Sequence, residues 1–271
     1  MVEAARLAEG FGALRPGEHV CWLVGSGEDY ASGARTFAVQ GRMRGDSVLI
    51  VGQRPVDCAS WPGGAVAVVD PAAGGGPGAP NGLAPWELVH RRVETLKVRG
   101  GALRVLAQME QLVPAGSRFE DLVALELGWG QWAAGRGASV VCAYRQDAWS
   151  ETVLRDAACM HSGQVGSRQL AVSFRMTFVE AGCWRVDGVV DFVAAPAFGA
   201  AARTALGRGA QLRLRFDGLD MIDAAGMQEL AHAVRSVHGG SVRVEGANPT
   251  IRRLWRLSGF DTSAAAVEIA S

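Results

Sequence analysis

The chain has 271 residues, 49% of them hydrophobic, enough to fill the core of one large domain or two ordinary ones. Basic and acidic residues number 27 each, so the formal net charge is zero and no overall field favours nucleic acid or an anionic membrane. No apolar run reaches the roughly 20 residues of a membrane span, and the N-terminus is unlike a signal peptide, which predicts a cytoplasmic protein.

The first half of the chain alternates strand-like apolar runs with amphipathic segments. This alternation predicts an α/β domain with a mostly parallel sheet and helices on both faces. The predicted strands are His19–Val24, Ser47–Val51, Ala65–Val69, Ala102–Ala107 and Ser139–Ala143, and the predicted helices are Tyr30–Met43, Pro85–Val98, Phe119–Ala134 and Ala148–Met160. Pro71–Gly82 is predicted to be a loop, and Gly163–Ser167 a linker between a first domain at 10–165 and a second at 170–271.

The second half predicts a smaller α/β domain. Its predicted strands are Ala171–Val179, Cys183–Val186, Gln211–Phe216 and Ser241–Glu245, and its predicted helices are Ala197–Leu206, Ala224–Val237 and Thr250–Leu257. Asp223 directly precedes the second of these helices, and its carboxylate can accept the amides that the first helical turn leaves unpaired. Helix capping alone would account for this aspartate.

Three motifs follow one another in the second half: WRVDGVVD at Trp184–Asp191, MIDAAGM at Met221–Met227 and GANPTIRRL at Gly246–Leu254. In this order they resemble the STAS family, which includes bacterial anti-sigma factor antagonists. The resemblance implies a small STAS α/β domain whose partner is an anti-sigma factor, a serine-protein-kinase-like protein. The partner-binding residues that it implies are Asp191, Asp223, Ala224, Ala225, Gly226 and Met227.

In that family, a serine just after the aspartate is phosphorylated by the anti-sigma kinase, and the added charge breaks the complex. Here Ala224 and Ala225 follow Asp223, and no hydroxyl side chain occurs between Asp217 and Arg235. The resemblance therefore implies an antagonist fixed in its binding-competent form. In the alternative interpretation, partner binding has been lost and the domain is a homodimerisation or scaffold element.

Short motifs of the first half, HVCW at His19–Trp22, RVLAQME at Arg104–Glu110, LE at Leu125–Glu126 and VCAY at Val141–Tyr144, resemble the MEDS domain, a sensory module of bacterial regulators. That family resembles the RecA/KaiC-type NTPase fold, so the turn Gly25–Gly27 takes the place of a phosphate loop. A working loop needs GxxxxGK[ST], whose lysine reaches the β and γ phosphates.

This turn has no lysine, and Glu28 and Asp29 put negative charge where a triphosphate would lie. We therefore expect no enzyme and assign no catalytic residue. A nucleotide-binding or NTPase-type enzyme of this fold is the competing interpretation.

The carboxyl ends of parallel strands form a crevice that can hold a small molecule. By the two-residue alternation of strands, His19 and Cys21 share one face, and Cys142 and Tyr144 share a face of another strand. If these strands are neighbours, a thiol/imidazole cluster could form. The candidate ligand-binding residues are His19, Cys21, Gly25, Ser26, Gly27, Glu110, Glu126, Cys142, Tyr144 and His161; the cofactor is unknown.

Cysteine and histidine are the usual soft metal ligands, so a redox, haem or metal sensor that also uses Cys159 is a further alternative. The five cysteines, however, are odd in number and contain no CxxC pair. Buried cysteines are common core residues. The sequence alone therefore predicts neither a disulfide framework nor a bound metal.

Overall fold

The protein is described by a computed structural model, which covers residues 9–52, 66–69, 89, 92–94, 101–113, 116–260 and 266–270. These residues form two compact units, each built around one β-sheet. Among the residues so described, no helix has both the length and the apolar character needed to span a membrane. The loop predicted at Pro71–Gly82 and most of the helix predicted at Pro85–Val98 lie outside them.

The first sheet confirms the predicted parallel α/β class. Its described strands lie in the order β3-β2-β4-β5-β1-β6, and every neighbouring pair is parallel. The strands are β1 (His19–Val24), β2 (Ser47–Val51), β3 (Val66–Val69), β4 (Leu103–Gln108), β5 (Ser139–Arg145) and β6 (Gly163–Val165). β1, β2 and β4 are buried along their whole length, as apolar strands of a covered parallel sheet should be.

Among the described residues, the helices with assigned bounds that connect these strands are α1 (Gly27–Met43), α2 (Met109–Leu112), α3 (Phe119–Arg136) and α4 (Glu151–Ala158). Phe37 of α1 packs in the same core as Trp22, Ile50 and Leu106. α1 begins earlier than predicted because the Ser26 side chain caps it. α4 begins later than predicted, since Ser150 accepts a hydrogen bond from the amide of Val153 at its start.

The prediction of a linker at Gly163–Ser167 is wrong for its first three residues. Gly163–Val165 is β6, which pairs in parallel with β1, so that Val20 lies opposite Gly163 and Trp22 opposite Val165. Three residues are too few to show a strand periodicity in the sequence. The pairing depends on the edge that β1 offers, which no local pattern reveals.

The second sheet is mixed, with the order β11-β10-β9-β8-β7. Its strands are β7 (Phe174–Glu180), β8 (Cys183–Val190), β9 (Gln211–Ile222), β10 (Ser241–Glu245) and β11 (Val267–Ile269), and its helices are α5 (Ala195–Gly207), α6 (Ala224–Ser236) and α7 (Pro249–Leu257). β7 and β8 are antiparallel, whereas the other neighbours are parallel. Phe174, Trp184, Phe198, Leu214 and Trp255 share one buried core.

The backbone conformation at Gly188 explains why the WRVDGVVD motif has a glycine at this position. Its φ is +92°, and a Cβ at this position would lie 2.4 Å from the carbonyl oxygen of Ser173. The register between β8 and β9 shifts on both sides of it. Only glycine combines this backbone conformation with so close an approach of β7.

Candidate functional site

Two aspartates lie at the same end of the second sheet, each directly after the last residue of a strand. β8 and β9 are parallel, with Val190 opposite Ile222, so Asp191 and Asp223 follow paired residues. Asp191 Oδ1 accepts hydrogen bonds from the amides of Val193 and Ala194 at 3.1 and 3.0 Å. Asp223 Oδ1 accepts one from the amide of Gly226 at 2.9 Å and is the N-cap of α6. Both carboxylates thus fix the conformation of the chain that enters a helix.

The predicted partner-binding residues differ in accessibility. Ala224 is exposed, and Asp191, Asp223 and Ala225 are partly exposed, but Gly226 and Met227 are buried. A Cβ on Gly226 would lie 2.7 Å from side-chain atoms of Val190 and Ile222, so this glycine lets α6 pack closely on the sheet. Gly226 and Met227 can position the loop, whereas a partner can touch only the other four residues.

Sequence reasoning missed the apolar side chains beside these residues. Phe192, Val193 and Met221 are 73%, 51% and 41% exposed. We name Asp191–Val193, Met221 and Asp223–Ala225 the docking face. Two large apolar residues directly after a turn-capping aspartate were the signal in the sequence, because a residue in a turn cannot be assigned to a core by alternation.

At the start of α1, the Gly25–Gly27 turn is closed by hydrogen bonds between Ser26 and Asp29. Ser26 Oγ accepts a hydrogen bond from the backbone amide of Asp29 at 3.2 Å and donates one to Asp29 Oδ2 at 2.9 Å. A Cβ on Gly25 would lie 2.8 Å from Asp29 Oδ2, so the carboxylate lies against the glycine turn. Since helix N-termini attract anions, the Asp29 carboxylate takes a position at the start of α1 that would also favour a phosphate. The side chain of Glu28 lies outside the described residues.

Two buried polar groups lie near the carboxyl end of β4. Glu110 Oε1 accepts a hydrogen bond from Gln108 Nε2 at 2.8 Å and lies 3.8 Å from Arg145 Nε. Glu110 Oε2 and the Tyr30 hydroxyl are buried and have no hydrogen-bond partner among the described residues. Burial raises the pKa of Tyr30, and the Glu110 charge raises it further, so the phenol stays protonated. Tyr30 was not among the predicted site residues.

β1 and β5 are neighbours, which is the condition on which a thiol/imidazole cluster was expected. His19 Nε2 lies 3.2 Å from Cys142 Sγ, and His161 Nε2 lies 3.1 Å from Glu126 Oε2. Each of these two contacts joins residues of the predicted ligand-binding set, and all four side chains are buried.

Other predicted residues lie elsewhere in the core. Cys21 is paired with Cys142 in the strand register of β1 and β5. The Tyr144 ring meets the edge of Trp149, with centroids 5.8 Å apart. Cys159 Sγ donates to the carbonyl of Arg155, and burial raises its pKa to about 12. A thiol that stays protonated near neutral pH is a poor redox sensor, so this geometry disfavours that role for Cys159.

Comparison with known protein families gives two matches. Residues 18–162, more than half of the chain, match MEDS, the "MEthanogen/methylotroph, DcmR Sensory domain". Residues 179–268 match "Mlab, STAS domain". Both resemblances inferred from the sequence motifs are thereby confirmed.

No curated protein matches the chain. Among solved structures, that of the anti-sigma factor antagonist SpoIIAA in its unphosphorylated form is similar, with 17% identity and a TM-score of 0.28. The similarity covers 36% of this chain and 87% of that one.

Proposed function

Because this chain belongs to the MEDS family of sensory domains and also carries a STAS domain, we propose that it senses a small molecule with its first half and binds an anti-sigma factor kinase with its second. On this proposal the protein is a signalling regulator that acts by protein contact and catalyses no reaction. The proposed domains are residues 10–165 and 170–271.

The docking face carries the proposal for the second half. Phe192, Val193 and Met221 are exposed beside the two turns that Asp191 and Asp223 hold, and exposed apolar side chains grouped together are typical of protein interaction surfaces. Asp191 and Asp223 hold these turns by capping hydrogen bonds, so little conformational entropy has to be lost on binding. The STAS family supplies the class of partner.

Ala224 supports constitutive binding. It is exposed on the docking face, where a serine of an antagonist would accept a phosphate, and alanine has no hydroxyl to modify. The charge that breaks such complexes therefore cannot be added at this position. Control of the complex would then pass to the first half of the chain.

A sensory role for the first half is supported by the two buried polar groups near β4. Glu110 Oε2 can accept a hydrogen bond and the Tyr30 hydroxyl can donate one, and neither does so among the described residues. Native proteins leave few such groups unsatisfied, so a small polar ligand would stabilise both. The enzyme interpretation gains no comparable support, because the phosphate loop lacks its lysine and is closed by Asp29.

The substitution Ala224→Glu tests the proposed partner-binding surface. We expect the unmodified protein to bind an anti-sigma factor kinase encoded in the same genome, and Ala224→Glu to bind at least about tenfold more weakly, because the carboxylate imitates the absent phosphate. Isothermal titration calorimetry measures both affinities. Ala181→Glu is the matched control, since Ala181 is exposed in the turn before β8, at the opposite end of that strand from Asp191. Equal affinities of the two variants would refute the proposed surface.

A further inference from the structure

A groove lies between the helix α7 and the edge strand β11 of the second sheet. Its volume is about 700 Å³, which is within the size range of pockets that hold ligands. Trp255 of α7 and Val267 and Ile269 of β11 give the groove apolar walls. Arg252 and Arg256 of α7 line it as well and add positive charge. A ligand that fits this groove would therefore combine apolar and acidic groups.

β11 offers one side of its backbone to a further strand. It pairs in parallel with β10 and is the last strand of the sheet among the described residues. The carbonyl of Ala266 and the amide of Ala270 each form a hydrogen bond of 2.8 Å with β10, so alternate residues of β11 face that strand. The amides and carbonyls of Val267 and Ile269, which lie between, face away from the sheet. An edge of this kind can accept a strand from another protein.

The charges beside this edge are unbalanced. α7 carries Arg252, Arg253 and Arg256 but no acidic residue, and none of the three forms an ion pair within the part of the chain that the structure describes. Arg252 and Arg256 are four positions apart, so they lie on one side of the helix. Glu268, the acidic residue of the groove, lies 3.6 Å from Arg243 of β10. The groove therefore has an excess of positive charge, which an acidic partner would neutralise.

From the groove, the edge and the charge together, we propose that a partner protein adds an extended acidic segment to β11 as a further strand. Its backbone would pair with the outward amides and carbonyls of Val267 and Ile269. An apolar side chain of the segment would lie against Trp255, and acidic side chains near it would meet Arg252 and Arg256. In strand addition the main-chain hydrogen bonds supply affinity, and the side-chain contacts supply specificity. This surface is separate from the docking face, which follows the ends of β8 and β9.

Synthetic peptides test the proposal on the full-length chain. The probe is a fluorescein-labelled peptide, Val-Val-Glu-Glu-Val-Val-Glu-Glu, which carries valine and glutamate on both sides of an extended strand. Fluorescence anisotropy should show saturable binding, and a peptide with lysine in place of each glutamate should bind at least about tenfold more weakly. Two further probes are N-methylated at the odd or at the even residues. One of them lacks the amides that face β11, and this one should also bind at least about tenfold more weakly.

A double variant locates the binding on the chain. Arg252→Gln with Arg256→Gln removes both charges that line the groove, and we expect it to bind the acidic probe at least about tenfold more weakly. Arg235→Gln is the matched control, because Arg235 is an exposed arginine in the last turn of α6 and does not line the groove. This control should bind the probe as the wild type does. Circular dichroism checks that both variants are folded.

Three results overturn the proposal: equal affinity for the acidic and the lysine probe, undiminished binding of both N-methylated probes, or equal affinity of the double variant and the wild type. The peptide comparisons use the wild-type chain, so they decide the matter even if the double variant does not fold. Dimerisation of the wild type in light scattering, lost in the double variant, would assign the groove to a second copy of the chain and would also overturn it. Neither the kinase nor Ala224 takes part in these measurements, so their outcome is independent of the proposed function.

Discussion

Asp29 determines what the loop at the start of α1 can bind. Its carboxylate is hydrogen-bonded to Ser26 and lies against Gly25, so the positive end of the helix dipole already has an anion beside it. A triphosphate would have to displace this carboxylate, and the loop has no lysine to compensate. One side chain thus closes a site that the fold would otherwise offer.

We expect the protein not to bind ATP. Isothermal titration with ATP and Mg²⁺ should give only heats of dilution, for the wild type and for Asp29→Ala alike, because removing the carboxylate does not restore the lysine. A functional P-loop ATPase in the same buffer is the positive control. Saturable binding in the micromolar range by the wild type would contradict this account and favour the enzyme interpretation.

At this scale the sequence shows which chemical groups are present but not where they point. The missing lysine and the missing serine can be seen directly in the chain. The fold-back of Asp29 onto Gly25 could not be predicted, since it depends on side-chain torsions. Strand alternation gave the faces of His19 and Cys142, but their contact also required β1 and β5 to be neighbours. The contact of Glu126 in α3 with His161, in the turn after α4, follows from no sequence periodicity.

At the scale of elements, β8 shows how one glycine shapes the second sheet. Gly188 has a positive φ and lies beneath the backbone of Ser173, and the register to β9 shifts beside it. The strand then continues to Val190, where the chain turns into the docking face. The path of these last residues therefore depends on a conformation that other residues adopt only with strain.

Replacing Gly188 with alanine should destabilise the protein by about 2 kcal/mol or more, through backbone strain and the clash with the Ser173 carbonyl. Gly207→Ala is the control, because Gly207 lies in α5 with no heavy atom within 4 Å of an added Cβ. That variant should be unchanged or more stable by up to about 1 kcal/mol. Urea denaturation followed by circular dichroism measures both, and equal stability of the two variants would contradict the assigned role.

The elements that the sequence predicts well are the long and fully buried ones. β1 and β2 have the predicted bounds because their apolar runs are continuous. β6 and β11 were missed, since a strand of three residues is too short to show the two-residue alternation. β9 extends beyond its predicted end at Phe216, through exposed polar residues such as Asp217 and Asp220. Pairing with a neighbouring strand decides these cases, and local composition does not.

At the scale of the whole molecule, a sensory family and a STAS family share one chain with no net charge. If the proposed function is right, an effector bound to the first half must change the affinity of the second half for its partner, and the partner must change the affinity for the effector by the same factor. On that proposal, this coupling would take the place of phosphorylation on the docking face, whose residues carry no hydroxyl group.

The position of β6 has a practical consequence for dissecting the protein. The family match ends at residue 162, just before β6 begins. A fragment that stops there would leave the outer edge of β1 with bare amides and carbonyls, which recruit strands from other molecules. Light scattering should find such a fragment self-associated, and one that continues to residue 169 should be more nearly monodisperse; identical behaviour would mean that β6 is dispensable. A fragment designed from the family match alone would therefore end a few residues too early, and its self-association would be an artefact of the truncation.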